Sequence, residues 1–147
     1  MSKQVGLDMY LYRNTNTFAS PTWAIVENVR DLTGPDSFAE ADVSRRNTGA
    51  SAFKQSEPTL REVSYEWDMV HDPSDADFAA LLTAYAARTL TEFAFADGPI
   101  ATTGTKYFRI ECKLFEFSRN EALEDANIYH VVAKPCYSAN APSAVTV

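Results

Sequence analysis

The sequence predicts an α+β protein that is mainly β: a β-sandwich or part-barrel of about seven strands with one flanking α-helix. Three observations carry that expectation. Several segments alternate apolar and polar residues with a period of two, the clearest being Val63, Tyr65, Trp67 and Met69 against Glu62, Ser64, Glu66 and Asp68. One segment repeats its apolar residues at helical spacing, at Phe78, Leu81, Leu82 and Tyr85. Aromatic residues make up 12% of the chain, with Phe 9, Tyr 7 and Trp 2, a bias toward strands. At 147 residues the chain holds one domain. We place that domain over 1–137, with 138–147 as a flexible, small-residue-rich tail.

Val5, Leu7, Met9 and Leu11 share one face of a first strand, Val5 to Tyr12. Asn14-Thr15-Asn16 and Ser20-Pro21 then mark a loop. A second strand runs from Trp23 to Val29 and stops before Gly34-Pro35; a third covers Ala39 to Arg45. The stretch 45–58 is small, polar and locally basic, with Phe53 its one large apolar residue, and reads as a long loop suited to meeting a partner chain. Thr59 to Met69 is the fourth strand, with its register fixed because a slip of one residue would bury carboxylates. The helix is expected over about 73–88, with Asp72 as cap, Pro73 in its first turn, and Asp75 and Asp77 beside its positive end. Thr91 to Ala96, Lys106 to Phe117 and Ile128 to Pro135 complete the strands.

Composition and motifs argue against several functions. Lys+Arg 13 against Asp+Glu 20 gives a net charge of -7, with no basic patch to hold nucleic acid. The N-terminus lacks the apolar core of a signal peptide, and no apolar run is long enough to anchor the chain in a membrane. Cys112 and Cys136 form no C-x-x-C, so neither metal binding nor redox catalysis is expected, and Cys112 reads as a buried thiol. No glycine-rich phosphate loop occurs. His71, near Asp68 and Asp72, and His130, within the last strand, offer no fixed catalytic spacing. The acidic cluster Glu121, Glu124 and Asp125 lacks calcium-loop spacing. No enzyme activity, cofactor or metal is expected.

Three stretches, taken together, resemble the tail tube proteins of long-tailed, siphophage-type bacteriophages and prophages: Glu40-Ala41-Asp42-Val43-Ser44-Arg45-Arg46, Asp72-Pro73-Ser74-Asp75-Ala76-Asp77-Phe78, and Phe117-Ser118-Arg119-Asn120-Glu121-Ala122-Leu123-Glu124-Asp125-Ala126. The likeness covers about Val5 to Tyr137. It implies a β-sandwich with a flanking helix and six copies in a ring. Rings would stack into a hollow tube, joined by a loop reaching the neighbouring ring. It also implies a virion location after assembly in the host cytoplasm, with tape-measure, tail terminator and distal tail proteins as partners. An additional immunoglobulin-like domain, carried by some relatives, is not expected at this length.

Under that resemblance, Glu40, Asp42, Glu62, Ser64, Glu66 and Asp68 are the lumen-facing candidates, and Arg45, Arg46, Phe53 and Lys54 the ring-to-ring candidates. Carboxylates lining the bore would repel phosphates, so DNA would pass without being bound. Six copies giving about four strands each at ~4.8 Å would enclose a backbone diameter near ~37 Å, enough for a duplex after side chains. Lys106, Arg109 and Lys113 would soften the bore if the long penultimate strand lined it too. Other readings stay open: a tube or ring component of a contractile injection or secretion machine, a monomeric module stacking ligand on Tyr10, Tyr12 or Tyr107, and, last, a small hydrolase using His71 and Asp68.

Overall fold

The computed structural model describes residues 5–6, 9–45, 53–121, 123–124 and 126–147. The strand β6 (Tyr65–Val70) shows how the core forms. Its alternation sends Trp67 and Met69 fully inside, beside Tyr65, while Glu66 and Asp68 face out. Burying two such side chains stabilises the fold by roughly 1.5–3 kcal/mol each.

The other strands are β1 (Tyr10–Asn14), β2 (Trp23–Ile25), β3 (Val29–Thr33), β4 (Asp36–Asp42), β5 (Ser56–Val63), β7 (Thr91–Ala96), β8 (Lys106–Asn120), β9 (Ile128–Pro135) and β10 (Ser143–Thr146). The main sheet is antiparallel, in the order β2-β1-β7-β8-β9-β6-β3, with β10 also on β8. Although β6 and β7 lie three places apart in that order, Tyr65 stacks on Phe95 at 3.9 Å and Trp67 meets Phe93 edge-on at 5.4 Å. The sheet therefore curls on itself into a part-barrel. The link 26–28 ties its two margins together: Val26 N donates to Leu11 O, and Val70 N donates to Asn28 O.

The helix α1 (Ala76–Ala87) covers one opening of this core with Phe78 and Leu81. Asp75, not Asp72, is the N-cap, accepting from Asp77 N, while Asp72 closes the preceding turn through Ser74. Leu82 and Tyr85 stay largely exposed, so the apolar stripe is narrower than its spacing predicts.

Other differences from expectation have local causes. The strand Trp23 to Val29 divides into β2 and β3, because Asn28 adopts φ 63 where the chain crosses between sheet margins. The first strand starts later, at Tyr10, with Val5 and Met9 exposed; Leu7 lies outside the described residues. The third strand is β4, starting at Asp36 and ending at Asp42, before Arg45. Ser56–Pro58, expected in the loop, belong to β5. Thr59 to Met69 is interrupted at Ser64, where the chain passes from the β4–β5 ribbon into the main sheet.

Within 138–147, expected as a flexible tail, residues Ser143–Thr146 form a strand. Strand β10 pairs with the first half of β8, in the lane that β9 leaves free after Pro135. Glu111 holds the approach by accepting from Ser138 Oγ and Asn140 Nδ2, both at 2.7 Å. Small residues suit a close-packed edge strand as well as a loose end, and composition alone does not separate the two. On the same face, Arg109 pairs with Glu92 at 2.7 Å under the Phe18 ring, 3.8 Å from its guanidinium. The half-sheet β1–β7–β8 is thus covered on both sides, and Arg109 is structural rather than available to a bore.

Gly34 sits at the base of the ribbon. A Cβ there would lie 2.8 Å from the Tyr65 ring, which is itself held against Phe95. Gly34→Ala is expected to destabilise the protein by about 1–3 kcal/mol, read from urea unfolding midpoints. Unchanged midpoints would mean that Tyr65 gives way and the contact is loose.

Candidate functional site: the ribbon and the acidic outer face

Strands β4 and β5 form a two-stranded sheet of their own, extending from the core at Val63. Its register pairs Asp36 with Val63, Ser37 with Glu62, Glu40 with Pro58 and Asp42 with Ser56, with a bulge between Phe38 and Glu40. Directly paired residues share a face, so Glu40, Asp42 and Glu62 lie on one side, joined by Ser37 despite its odd spacing from Glu40 across the bulge. Leu60 belongs to that side and is 79% exposed; Phe38, on the other, is 54% exposed. At the base, Arg61 forks onto Asp36, with Nε 2.8 Å from Oδ1, and its guanidinium lies 5.9 Å from the Phe108 ring. That bonded guanidinium lowers the Asp36 pKa below the ordinary carboxylate value and keeps it charged. A lone ribbon is marginal. Both its long edges lack ladder partners among the described residues.

The charged side continues onto the main sheet. Across β6, Glu66 opposes Val132 and Asp68 opposes His130; across β8, Ser118 opposes His130 and Glu116 opposes Val132. Glu66, Asp68, Glu116 and His130 therefore share the outer face. Glu40, Asp42, Glu62 and Glu66 sit along one run of ribbon and sheet, with Ser64 half-buried at the junction. Of the ring-to-ring candidates, Arg45, Phe53 and Lys54 are exposed beyond the ribbon's end, where Val43 N donates to Gln55 O; Arg46 lies outside the described residues.

The fold separates His71 from Asp68, the pair weighed for hydrolysis. His71 packs its ring on Phe78 at 4.8 Å and Tyr129 at 5.4 Å, on the core side of β6. Asp68 is on the opposite side, bonded to His130 Nδ1 at 2.8 Å. Sequence order could not reveal that partner, because it comes from strand pairing sixty-two positions away. Of the three tyrosines weighed as ligand platforms, Tyr12 accepts from Ile100 N, and Tyr107 meets the Trp23 ring. Among the described residues no cluster of His, Cys, Asp or Glu suits a metal ion, and no helix is long and apolar enough to cross a membrane. Burial pushes the Cys112 thiol up to about 12, so it stays protonated.

No family model matches the sequence, and no curated protein matches it. Solved structures match over nearly the whole chain. The tail of an empty gene transfer agent particle, reconstructed with C6 symmetry, shares 15% identity and a TM-score of 0.72 over 96% of this chain and 98% of its own. The SPP1 tail tube gives 11% identity and a TM-score of 0.77 over 97% of this chain and 79% of its own. The chain has the fold of phage tail tube proteins. A third match, to the baseplate of the anti-feeding prophage, is 5% identical with a TM-score of 0.66 over 99% of this chain and 97% of its own. In the tail-tube fold seen here, the curled sheet, the flanking helix and the projecting ribbon form one continuous arrangement.

The Asp68 carboxylate bonded to His130 raises that histidine above its ordinary pKa, about 6.5, with Glu116 and Glu66 adding to the effect. A raised folded value means that the pair's contribution is fully present below about pH 6.5 and is lost as pH rises through the folded value. Because His130 is 41% exposed, the contribution is small, under about 1 kcal/mol after solvent screening. His130→Gln should lower stability at pH 5.5 and less so at pH 8.5, measured by urea unfolding. A difference that grows with pH would contradict the assignment.

Proposed function

We propose that six copies of this chain close into a ring and that rings stack into a hollow tail tube conducting DNA. The observation that carries this reading is the likeness in fold, over 97% of the chain, to the SPP1 tail tube. The six-fold arrangement draws on the C6 symmetry of the gene transfer agent tail. The ribbon supports it physically: edges that would aggregate alone are paired when neighbouring copies continue the sheet around a ring.

On this reading the ribbon's charged side and the outer face of β6 line the bore, presenting Glu40, Asp42, Glu62, Ser64, Glu66 and Asp68. Carboxylates there act by failing to bind, leaving phosphates solvated and mobile. The helix and the closed core face outward as the wall. Arg45, Arg46, Phe53 and Lys54 reach the adjacent ring. The work of the chain is structural, its place is the virion tail after assembly in the host cytoplasm, and tape-measure, tail terminator and distal tail proteins are its expected neighbours. Residues 1–137 would act as one tube subunit, now with the C-terminal strand folded into it. A second reading, a ring or tube component of a contractile injection machine, is favoured by the match to the anti-feeding prophage baseplate. It keeps the same ring and differs in cargo.

Reversing the lumen charge tests the central feature. Tubes of the double variant Glu62→Lys/Glu66→Lys should retain about tenfold more duplex DNA than wild-type tubes at low salt, with retention falling as salt rises. Co-sedimentation of labelled DNA with assembled tubes reads this out. Equal retention by both would place these carboxylates away from the bore.

A further inference from the structure

Strand β8 loses a neighbour part-way along its length. Strand β7 begins at Thr91, opposite Cys112, so from Lys113 onward β8 is paired on one side only, to β9. The end of α1 lies beside that stretch, and the two border a groove of about 480 Å³. Tyr85, Ala86 and Arg88 line its helix side, and Lys113, Leu114 and Phe115 its strand side. Its apolar walls are open to solvent: Phe115, the bulged residue between Leu114 and Glu116, is 57% exposed, and Tyr85 is 37% exposed. The rim is cationic. Lys113 stands directly opposite Lys134, whose ammonium lies 5.6 Å from the Phe115 ring, and Arg88 caps the helix. Among the described residues, no carboxylate lies within ion-pair distance of these three cations. Like charges directly opposite each other destabilise a strand pair, so an anion placed here would relieve the rim.

The complementary combination stands at the tip of the β8–β9 hairpin. Leu123 is fully exposed there, between exposed Glu121 and Glu124. Glu121 is bonded to Arg119, while Glu124 has no ion pair among the described residues. A copy cannot close this contact on itself. The tip lies past Asn120, and the run from Phe115 to Asn120, held extended by its pairing with β9, spans roughly 17 Å.

We propose that the groove of one copy receives Leu123 of a second copy, with Glu124 and Glu121 meeting Lys113, Lys134 and Arg88. An apolar anchor ringed by one sign of charge, entering an apolar groove rimmed by the other, gives both affinity and orientation. Taking a second copy as the occupant rests on the tube reading; both surfaces are separate from the ribbon. In a six-fold ring all copies face the same way, so the contact is heterologous, and each copy offers its tip to one neighbour and its groove to another.

The test places a photo-reactive residue at the anchor, Leu123→p-benzoylphenylalanine in the full chain. Equal amounts of heavy- and light-isotope protein are mixed at assembling concentration, irradiated, and analysed by mass spectrometry. Mixed-isotope cross-links from position 123 to peptides carrying Tyr85 or Phe115 are expected. In parallel, Glu124→Lys and Lys134→Glu, each shown to be folded by circular dichroism, should raise the concentration needed for assembly by about tenfold. A chain carrying both reversals should assemble within about threefold of the wild-type concentration, because the charges again match across copies. Assembly in which position 123 cross-links only elsewhere, single variants that assemble at the wild-type concentration, or a double variant no better than the singles would overturn this contact and leave the tube reading standing. Wild-type protein that stays at 16.3 kDa at every concentration would overturn both.

Discussion

The phase of one run of chain, Ser56 to Val70, governs the rest of the structure. Its second half places Trp67 and Met69 in the core, and its first half forms one side of the ribbon. Because side chains alternate along β6, the phase that buries Trp67 also fixes where Glu66 and Asp68 point. Moving the run by one residue would bury carboxylates and expose the aromatic ring, at a cost that the marginal stability of a domain cannot absorb. Core packing thus determines the distribution of surface charge. The ribbon's direction follows from the same phase through Gly34, whose missing side chain lets the turn rest on the Tyr65 ring.

The second constraint is the curl of the sheet. Tyr65 on Phe95 and Trp67 on Phe93 bring together strands that are not hydrogen-bonded neighbours, and the link 26–28 ties the margins without closing them. A complete barrel would have no seam and no free ribbon, and would gain nothing from association. The partial closure leaves both: a seam with apolar sides and ribbon edges in need of partners. Self-assembly would satisfy what folding alone does not.

Much of this was legible from local pattern. Strands β7 and β9 have the bounds the alternation gives, and the helix falls within its predicted span, because period and punctuation are short-range signals. Features set by distant partners were not legible. The division at Ser64 depends on which strands find neighbours on each side. Arg109 reads as a solvent-facing cation by alternation, yet lies under Phe18 against Glu92, since the loop that covers it gives no periodic signal. The C-terminal strand depends on a vacancy beside β8 created by the end of β9 at Pro135. For the charged face, alternation identified the carboxylates, but only the pairing of β6 with β9 revealed that His130 tempers Asp68.

Cryo-electron microscopy of the concentrated protein addresses the central claim most directly, by showing what the ribbons do when copies meet. Rings of six should appear, singly or stacked, with ribbons joined around a central opening and Glu62 and Glu66 on its inner wall. A particle of 16.3 kDa at every concentration, or rings with those two carboxylates on the outer wall, would contradict it.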